Sequence, residues 1–308
     1  MQHETAGDPM TELKWTHKTT GRIATELQVS GISVGPKTVS RLLNVMGYSL
    51  RVNHKQLSRV SKTAPEVRNA QFEHIAKLRQ SFTTRGLPVI SIDTKKKELV
   101  GQFKNPGNAW NREPIKVNDH DFPSDAIGKA VPYGIYDIQA NRGTVFVGNS
   151  KDTAEFAVES IETWWLTEGR HRYPGAKQLV VLADGGGSNG SRNRAWKNNL
   201  YHLLAERHGI SVTVAHYPPG TSKWNPIEHR LFSQISKNWA GRPLDSFETV
   251  LNYIRTTTTS TGLKVTAHLV DRNYEKGLKI TDGQMRALPI AWHDSLPRWN
   301  YTLAPSQT

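Results

Sequence analysis

The sequence predicts an α/β protein whose main domain follows a small helical one. Three observations carry that prediction. Behind residue 88, short runs rich in Val, Ile and Leu alternate with stretches of helical spacing, in the order βββαβαβα. Between residues 19 and 47 the apolar side chains recur only at helical intervals, around a glycine-bearing turn. A chain of 308 residues with 36% hydrophobic residues and nine Trp can bury one large core and a smaller one, and it carries no internal repeat or low-complexity tract.

The elements follow in order. Residues 1–15 are polar and without pattern. The first short helix buries Ile23, Ala24 and Leu27; the second starts at Pro36, stops at Gly47 and buries Val39, Leu42, Leu43 and Met46. Two helices joined by a tight turn, with Lys37 and Arg41 on the second, fit a helix-turn-helix over residues 1–60, and "YSLRVNHKQL" reads as a wing strand behind it. A linker helix over 61–87 sets Phe72, Ile75, Leu78 and Phe82 at helical spacing. The main domain, 88–308, opens with a strand, a polar turn and a second strand in "LPVISIDTKKKELVGQF". An ordered insertion loop over 102–131 comes next, then a hairpin turning at Asn141-Arg142-Gly143. "TAEFAVESIETWWLTEG" reads as an amphipathic helix, "QLVVLADGGGSNG" as a buried strand entering a glycine-rich loop, and a helix at about 191–208 precedes the strand "ISVTVAHY". A helix starts at Asn225, and "LKVTAHLV" with "GLKITDGQM" reads as a terminal strand pair.

Composition narrows the function. With 40 Lys+Arg against 27 Asp+Glu the net charge is +13, which favours a polyanionic partner, nucleic acid above all. The charge is uneven: Lys37, Arg41, Arg51, Lys55, Arg59 and Lys62 lie between residues 27 and 65 with no acid among them. The absence of cysteine excludes disulfides, thiolate zinc sites and cysteine nucleophiles. The twelve His are scattered without metal-binding spacing, and "GGGSNGSR" lacks the Lys-Ser/Thr of a phosphate loop. No signal peptide and no membrane-length apolar run is present, so a cytoplasmic, nucleoid-associated protein is expected.

Three acids sit where the pattern changes abruptly. Asp93 ends "VISID", Asp184 ends "LVVLAD", and Glu228 opens the helix after Asn225. Ligands gather at the carboxyl ends of strands in α/β sheets, so Asp93 and Asp184 meet if their strands are neighbours. At about 100° per residue, Glu228 falls inside the apolar arc of Ile227, Leu231, Phe232, Ile235 and Trp239. An acid aimed at the core needs a cation or a metal; the competing reading is a helix cap, since Asn225 and Glu228 fit the capping-box spacing. Converging carboxylates suit divalent metal with hard oxygen ligands. Lys95, Lys96 and Lys97 read as a solvated turn or a phosphate contact, and Trp224 as a core residue or a base-stacking platform. Asp119, His120 and Asp121 form a rival acidic cluster whose loop setting favours structure or DNA contact.

The segments "VISIDTKKKELVG", "VNDHDF", "LADGGGSNGSR" and "YPPGTSKWNPIEHRLFS" resemble the DDE transposases of bacterial insertion sequences, in the group called ISAzo-thirteen or the Rhodopirellula-type transposase DDE domain. The resemblance runs from about residue 10 to 303. It implies an RNase H-like catalytic core, a mixed sheet flanked by helices, with Asp93, Asp184 and Glu228 as the three acidic ligands of two Mg²⁺ or Mn²⁺ ions. It further implies binding of terminal inverted repeats, metal-dependent strand cleavage, and transfer of the freed end to target DNA by a homodimer assembled on double-stranded DNA. Members of the group carry more sequence ahead of the helix-turn-helix, so a copy shortened at its N-terminus is expected. A metal nuclease without strand transfer and a DNA-binding protein without chemistry are the alternatives.

Overall fold

The computed structural model describes residues 18–50 and 63–306, together with the backbone of 5–7 and 14–16. The chain divides into two compact units, Met1–Ser58 and Arg59–Thr308.

In the first unit β1 (Thr5–Gly7) and β2 (Lys14–Thr16) pair antiparallel, where the sequence shows no pattern; strands of three residues leave no periodicity to read. α1 (Thr20–Val29) is capped by the Thr19 side chain, which accepts from the Arg22 amide. α2 (Pro36–Val45) has proline in its first turn and is followed by Gly47 at φ +83°. Ile23, Ala24 and Val39 form a small core with Leu27, Val34 and Leu43 packed against it. Leu42 and Met46, expected inside, are exposed. Val39 and Leu43 already supply the stripe that faces α1, and Leu42 and Met46 fall outside it. The expected wing strand lies mostly outside the described residues, as do Arg51, Lys55, Arg59 and Lys62.

The second unit is built on a nine-stranded sheet. β3 (Val89–Thr94), β5 (Gly128–Asp137) and β6 (Arg142–Gly148) form an antiparallel meander, with β4 (Glu98–Val100) beside β5. β7 (Gln178–Ala183) and β8 (Ser211–His216) then add parallel on the other side of β3. A meander followed by two parallel strands, with helices on both faces, is the RNase H-like arrangement. The edges are extended by β9 (Lys264–Val270), parallel to β6, and by β10 (Ile290–Trp292) and β11 (Asn300–Leu303), antiparallel beside β8.

One face is covered by α4 (Ala154–Trp164), which runs through a π-helical stretch, Trp165–Gly169, into α5 (Arg170–Arg172). α6 (Arg194–Asn199) and the π-helical Leu200–Glu206 lie beside it, and their apolar residues pack on Ile90, Ile92, Val181 and Val214. α4 is amphipathic as its sequence reads: Phe156, Ala157, Val158, Ile161 and Trp164 are buried along one side, and Glu155, Glu159, Glu162 and Thr163 lie along the other. The other face carries two groups. α3 (Pro65–Thr84) packs Ile75 and Phe82 on Val89, Val180 and Leu182. The segment 227–239, with α7 (Ser233–Asn238), and α8 (Phe247–Arg255) pack on β5, β6 and β9.

α3 is therefore a layer of the fold, not the linker its position suggests. Its fully buried Gln71 donates to the His216 carbonyl and to Asn300 Oδ1, both at 2.8 Å, and so ties the helix to β8 and β11. The hairpin turns at residues 138–141, slightly ahead of the expected position, with Asn141 at φ 51°. The insertion loop holds a 3-10 turn, Pro123–Asp125, and ends where β5 begins. "GLKITDGQM" is not a strand: Thr281 and Gln284 form a reciprocal capping box that starts α9 (Asp282–Ala287). Among the described residues no helix is long and apolar enough to cross a membrane.

A candidate carboxylate site at the strand ends

β3 and β7 pair in parallel with Ile92 opposite Ala183, so the next residue on each strand, Asp93 and Asp184, stand side by side. Ile92 and Ala183 face the α4 core, and strand alternation turns both acids to the opposite face. Asp184 leaves the sheet into Gly185–Gly187; the Gly186 amide donates to its Oδ1 at 3.3 Å, and Gly187 sits at φ +66°. Behind it His216 is fully buried, with Nδ1 2.9 Å from the Asp184 carbonyl and Nε2 3.3 Å from the Tyr301 hydroxyl. A carbonyl only accepts, so Nδ1 carries the proton. Burial pushes the imidazole pKa down to about 4 and keeps the ring neutral.

Glu228 reaches the same place by a different route. Asn225 is fully buried, and its side chain does not cap the helix that follows. Its Oδ1 accepts from Ser91 Oγ and its Nδ2 donates to the Ile92 carbonyl at 3.1 Å, while the Ile227 amide donates to Ser91 Oγ at 3.0 Å. Ser91 and Asp93 are alternate residues of one strand and share a face, so the anchor of the helix lies beside the acid. Asn225 thus holds the helix to β3, and the capping-box reading of Glu228 loses its partner. The Glu228–Phe232 turn is π-wound and continues into α7. The segment lies unusually close to the sheet. A Cβ at Gly134, opposite Asp93, would come within 2.5 Å of the Phe232 ring, and one at Gly143 within 2.5 Å of Leu231.

The electrostatics follow from this crowding. Burial first, then the charge of Asp184, raise Asp93 to about 8, against the pull of its hydrogen bond from the Thr94 amide. The charge of Glu228 and a hydrogen bond between the two carboxyl groups add to the rise. Asp184 is also raised by burial, opposed by the Gly186 amide. Asp93 and Asp184 open on a cleft of about 440 Å³, and Glu228 on an adjoining one, with Lys95 and Lys96 lining both. As the side chains stand, no three acidic or imidazole groups among the described residues converge tightly enough to share one ion.

The lysine run is split three ways. Lys95 is buried, 4.4 Å over the Trp239 ring and 3.2 Å from Glu98, and burial lowers its pKa. Lys96 is exposed, and Lys97 pairs with Asp152 at 3.2 Å. Trp224 is half exposed, tilted on Phe72 at 5.7 Å between centroids with Lys223 4.1 Å over its ring, and so is not a core residue. Lys37 and Arg41 are exposed on α2, in the other unit. Asp119, His120 and Asp121 are exposed in the insertion loop, Asp119 and His120 3.6 Å apart, away from the clefts that the carboxylates line. Ser91, Gln71 and His216 were not singled out in the sequence. Ser91 does leave a trace, a polar residue in an apolar run two positions before Asp93.

The sequence matches the family described as the Rhodopirellula transposase DDE domain over residues 1–305. No curated protein matches it. Among solved structures it is similar to the Mos1 transposase paired-end complex with left transposon end, at 15% identity and TM-score 0.44, over 77% of this chain and 65% of that one. It is similar to the Mos1 strand transfer complex at 18% identity and TM-score 0.43, over 77% and 64%. The Mos1 mariner paired-end complex with Mn gives 17% identity and TM-score 0.43, over 77% and 65%. The chain thus spans just under two thirds of the length of these structures.

Proposed function

The chain belongs to the Rhodopirellula transposase DDE domain family, and from that premise we propose that it is an insertion-sequence transposase with Asp93, Asp184 and Glu228 as its acidic triad. The observation that carries the reading is the meeting of three acids: parallel pairing of β3 and β7 sets Asp93 beside Asp184, and the Ser91 anchor brings the helix of Glu228 to the same face. The donor set fits a hard divalent cation, because it offers only carboxylate oxygens and these repel one another until a positive charge joins them. Mg²⁺ or Mn²⁺, two ions in this reading, would be held by Asp93, Asp184 and Glu228. When bound, such ions supply activation of the attacking oxygen and neutralisation of the leaving one.

The chain's own residues do the rest. Water cleaves a phosphodiester at the element end to leave a 3′-hydroxyl and a 5′-phosphate, and that hydroxyl then displaces a target phosphodiester oxygen. Lys96, exposed at the mouth of both clefts, faces the phosphate of the strand being cut, and Trp224 offers a ring to an unpaired base. The first unit, through Lys37 and Arg41, reads the inverted repeat, and a homodimer holds two ends together wherever the cell keeps its DNA.

The test is incubation of the protein with duplexes carrying its own element ends and Mg²⁺. Nicked and joined products are expected, and Glu228→Gln is expected to bind the ends normally while cleavage falls by several orders of magnitude. Cleavage at full rate in EDTA, or normal turnover by Glu228→Gln, overturns the assignment. Nicking without joining makes the protein a nuclease.

A further inference from the structure

A further cleft, of about 520 Å³, lies along the glycine-rich loop, with Ser191, Arg192, Pro219 and Trp299 in its walls. Gly186 and Gly187 line it and also line the cleft of Asp93 and Asp184, so the two adjoin there. Trp299 is fixed by its backbone at the start of β11. Its carbonyl accepts from the His216 amide at 2.9 Å, and its amide donates to the Leu296 carbonyl at 2.8 Å. The half-buried indole has no aromatic neighbour and no hydrogen-bond partner among the described residues. Arg192 is exposed and likewise makes no ion pair among them. A rigidly held ring and an unpaired guanidinium therefore share one cleft.

A second observation concerns charge. Lys197 is 5% exposed; its ammonium donates to the Ser191 carbonyl and lies 5.2 Å over the Tyr301 ring. No carboxylate pairs with it among the described residues, and burial lowers its pKa to about 8. A buried cation without a counter-charge is costly, and Ser191 connects this one to the cleft wall. An anion in the cleft would supply the missing charge and meet Arg192 directly, and a guanidinium matches phosphate in geometry. The indole asks for a flat ring as well. A nucleotide supplies both, but only when unpaired, because a base inside a duplex already has both faces stacked.

We propose that this cleft binds an unpaired nucleotide of the strand cut beside Asp184, with Trp299 stacked on its base, Arg192 bonded to its phosphate and Lys197 charging the wall behind. The inference rests on the reading that the neighbouring carboxylates cut DNA, and it extends that reading to how the strand is held once it leaves them. Single-stranded DNA is thus a ligand of the second unit in its own right.

The experiment follows the anisotropy of a fluorescein-labelled oligothymidylate of about eight nucleotides as the full chain is added. Trp299→Ala is expected to weaken binding by about tenfold, and Trp299→Phe to restore most of it. Arg192→Gln is expected to weaken binding and to reduce the salt slope by about 0.7, the share of one phosphate on a single strand. An oligonucleotide with abasic sites throughout should bind parent and Trp299→Ala alike. Attraction by net charge alone predicts that Trp299→Ala binds oligothymidylate like the parent, and that result overturns the proposal. Should Trp299→Ala not fold, the parent chain carries the test: 5-iodouracil in the oligonucleotide should photo-crosslink to Trp299, and crosslinks mapped only elsewhere overturn the proposal. The two levels separate cleanly. If the Trp299 and Arg192 variants bind normally while Glu228→Gln still abolishes cleavage, only this inference fails. If Glu228→Gln cuts normally, the carboxylate reading fails, whatever the oligothymidylate shows.

Discussion

The two halves of the candidate site are built by different physics. Asp93 and Asp184 are placed by backbone: parallel pairing of β3 and β7 fixes their register, and any side chains that keep the strands paired keep the acids adjacent. Glu228 is placed by side chains, through the Asn225–Ser91 anchor and the room left at Gly134 and Gly143. The strand half should therefore tolerate local substitution, while the helix half should fail from changes that never touch Glu228. Catalytic geometry that relies on a few buried contacts is more easily lost than geometry built on a ladder of hydrogen bonds.

Gly134→Val should break the comparison most severely. Valine suits a strand, so the β3–β5 pairing survives, but its Cβ would stand 2.5 Å from the Phe232 ring and 2.9 Å from Ile227. Both residues belong to the segment that carries Glu228, which must move away from Asp93. Overpacking of this kind costs about 1–3 kcal/mol of stability, visible in a urea melt, and cleavage should fall far more than stability does. A Gly134→Val protein that melts like the parent and cuts normally would show that the helix half is not held as described.

The strand half carries its own signature, in pH. Asp93 is raised to about 8 in the ion-free protein, by burial first and then by its acidic neighbours, whereas an unfolded aspartate titrates near ~3.9. The folded chain thus binds the proton more tightly than the unfolded one. The stability this contributes is full below about pH 4 and is lost as pH rises through about 8. His216, lowered to about 4, acts in the opposite sense only below about pH 6.5, and Lys197, lowered to about 8 by burial, only above that value. Between these limits the melting temperature of the ion-free protein should fall with pH. Asp93→Asn should flatten the fall, and saturating Mg²⁺ should remove it. An equal slope in the Asn variant would place the titration elsewhere.

The same division explains what the sequence could reveal. Apolar runs ended by Asp93 and Asp184 were legible because a buried strand and an abrupt acid are both local signals. The arc of Ile227, Leu231, Phe232, Ile235 and Trp239 is buried as its spacing predicts, and Glu228 turns the same way, although its first turn is π-wound. The role of Asn225 was hidden: Asn before Pro reads as a cap, and its real partner, Ser91, lies 134 residues away. Lys95, Lys96 and Lys97 read as one solvated run, yet Trp239 covers the first and Asp152 holds the third. The parallel docking of β9 on β6 was equally out of reach, since edge pairing across more than a hundred residues leaves no local pattern.

The gentlest test compares one small substitution in each half. Ser91→Ala removes a hydroxyl that donates to Asn225 Oδ1 and accepts from the Ile227 amide. Two buried polar groups are left to find other partners, at a cost of about 1–3 kcal/mol, and the start of the Glu228 helix loosens. Gly186→Ala, in the loop after Asp184, should do almost nothing. Its φ of −119° suits any residue, a Cβ there meets no atom within 4 Å, and the amide that donates to Asp184 is retained. Surface changes of that kind stay within about 0.5 kcal/mol. The pair therefore isolates the way each acid is held. Ser91→Ala should lower both the melting temperature and the cleavage rate, with binding of DNA ends unchanged, and Asn225→Ala should add little to it, because the two residues act as one anchor. Additive losses from Ser91→Ala and Asn225→Ala would mean that Glu228 is held by contacts other than this one. If Gly186→Ala proved the more damaging of the two small changes, the contrast between a backbone-built half and a side-chain-built half would be reversed.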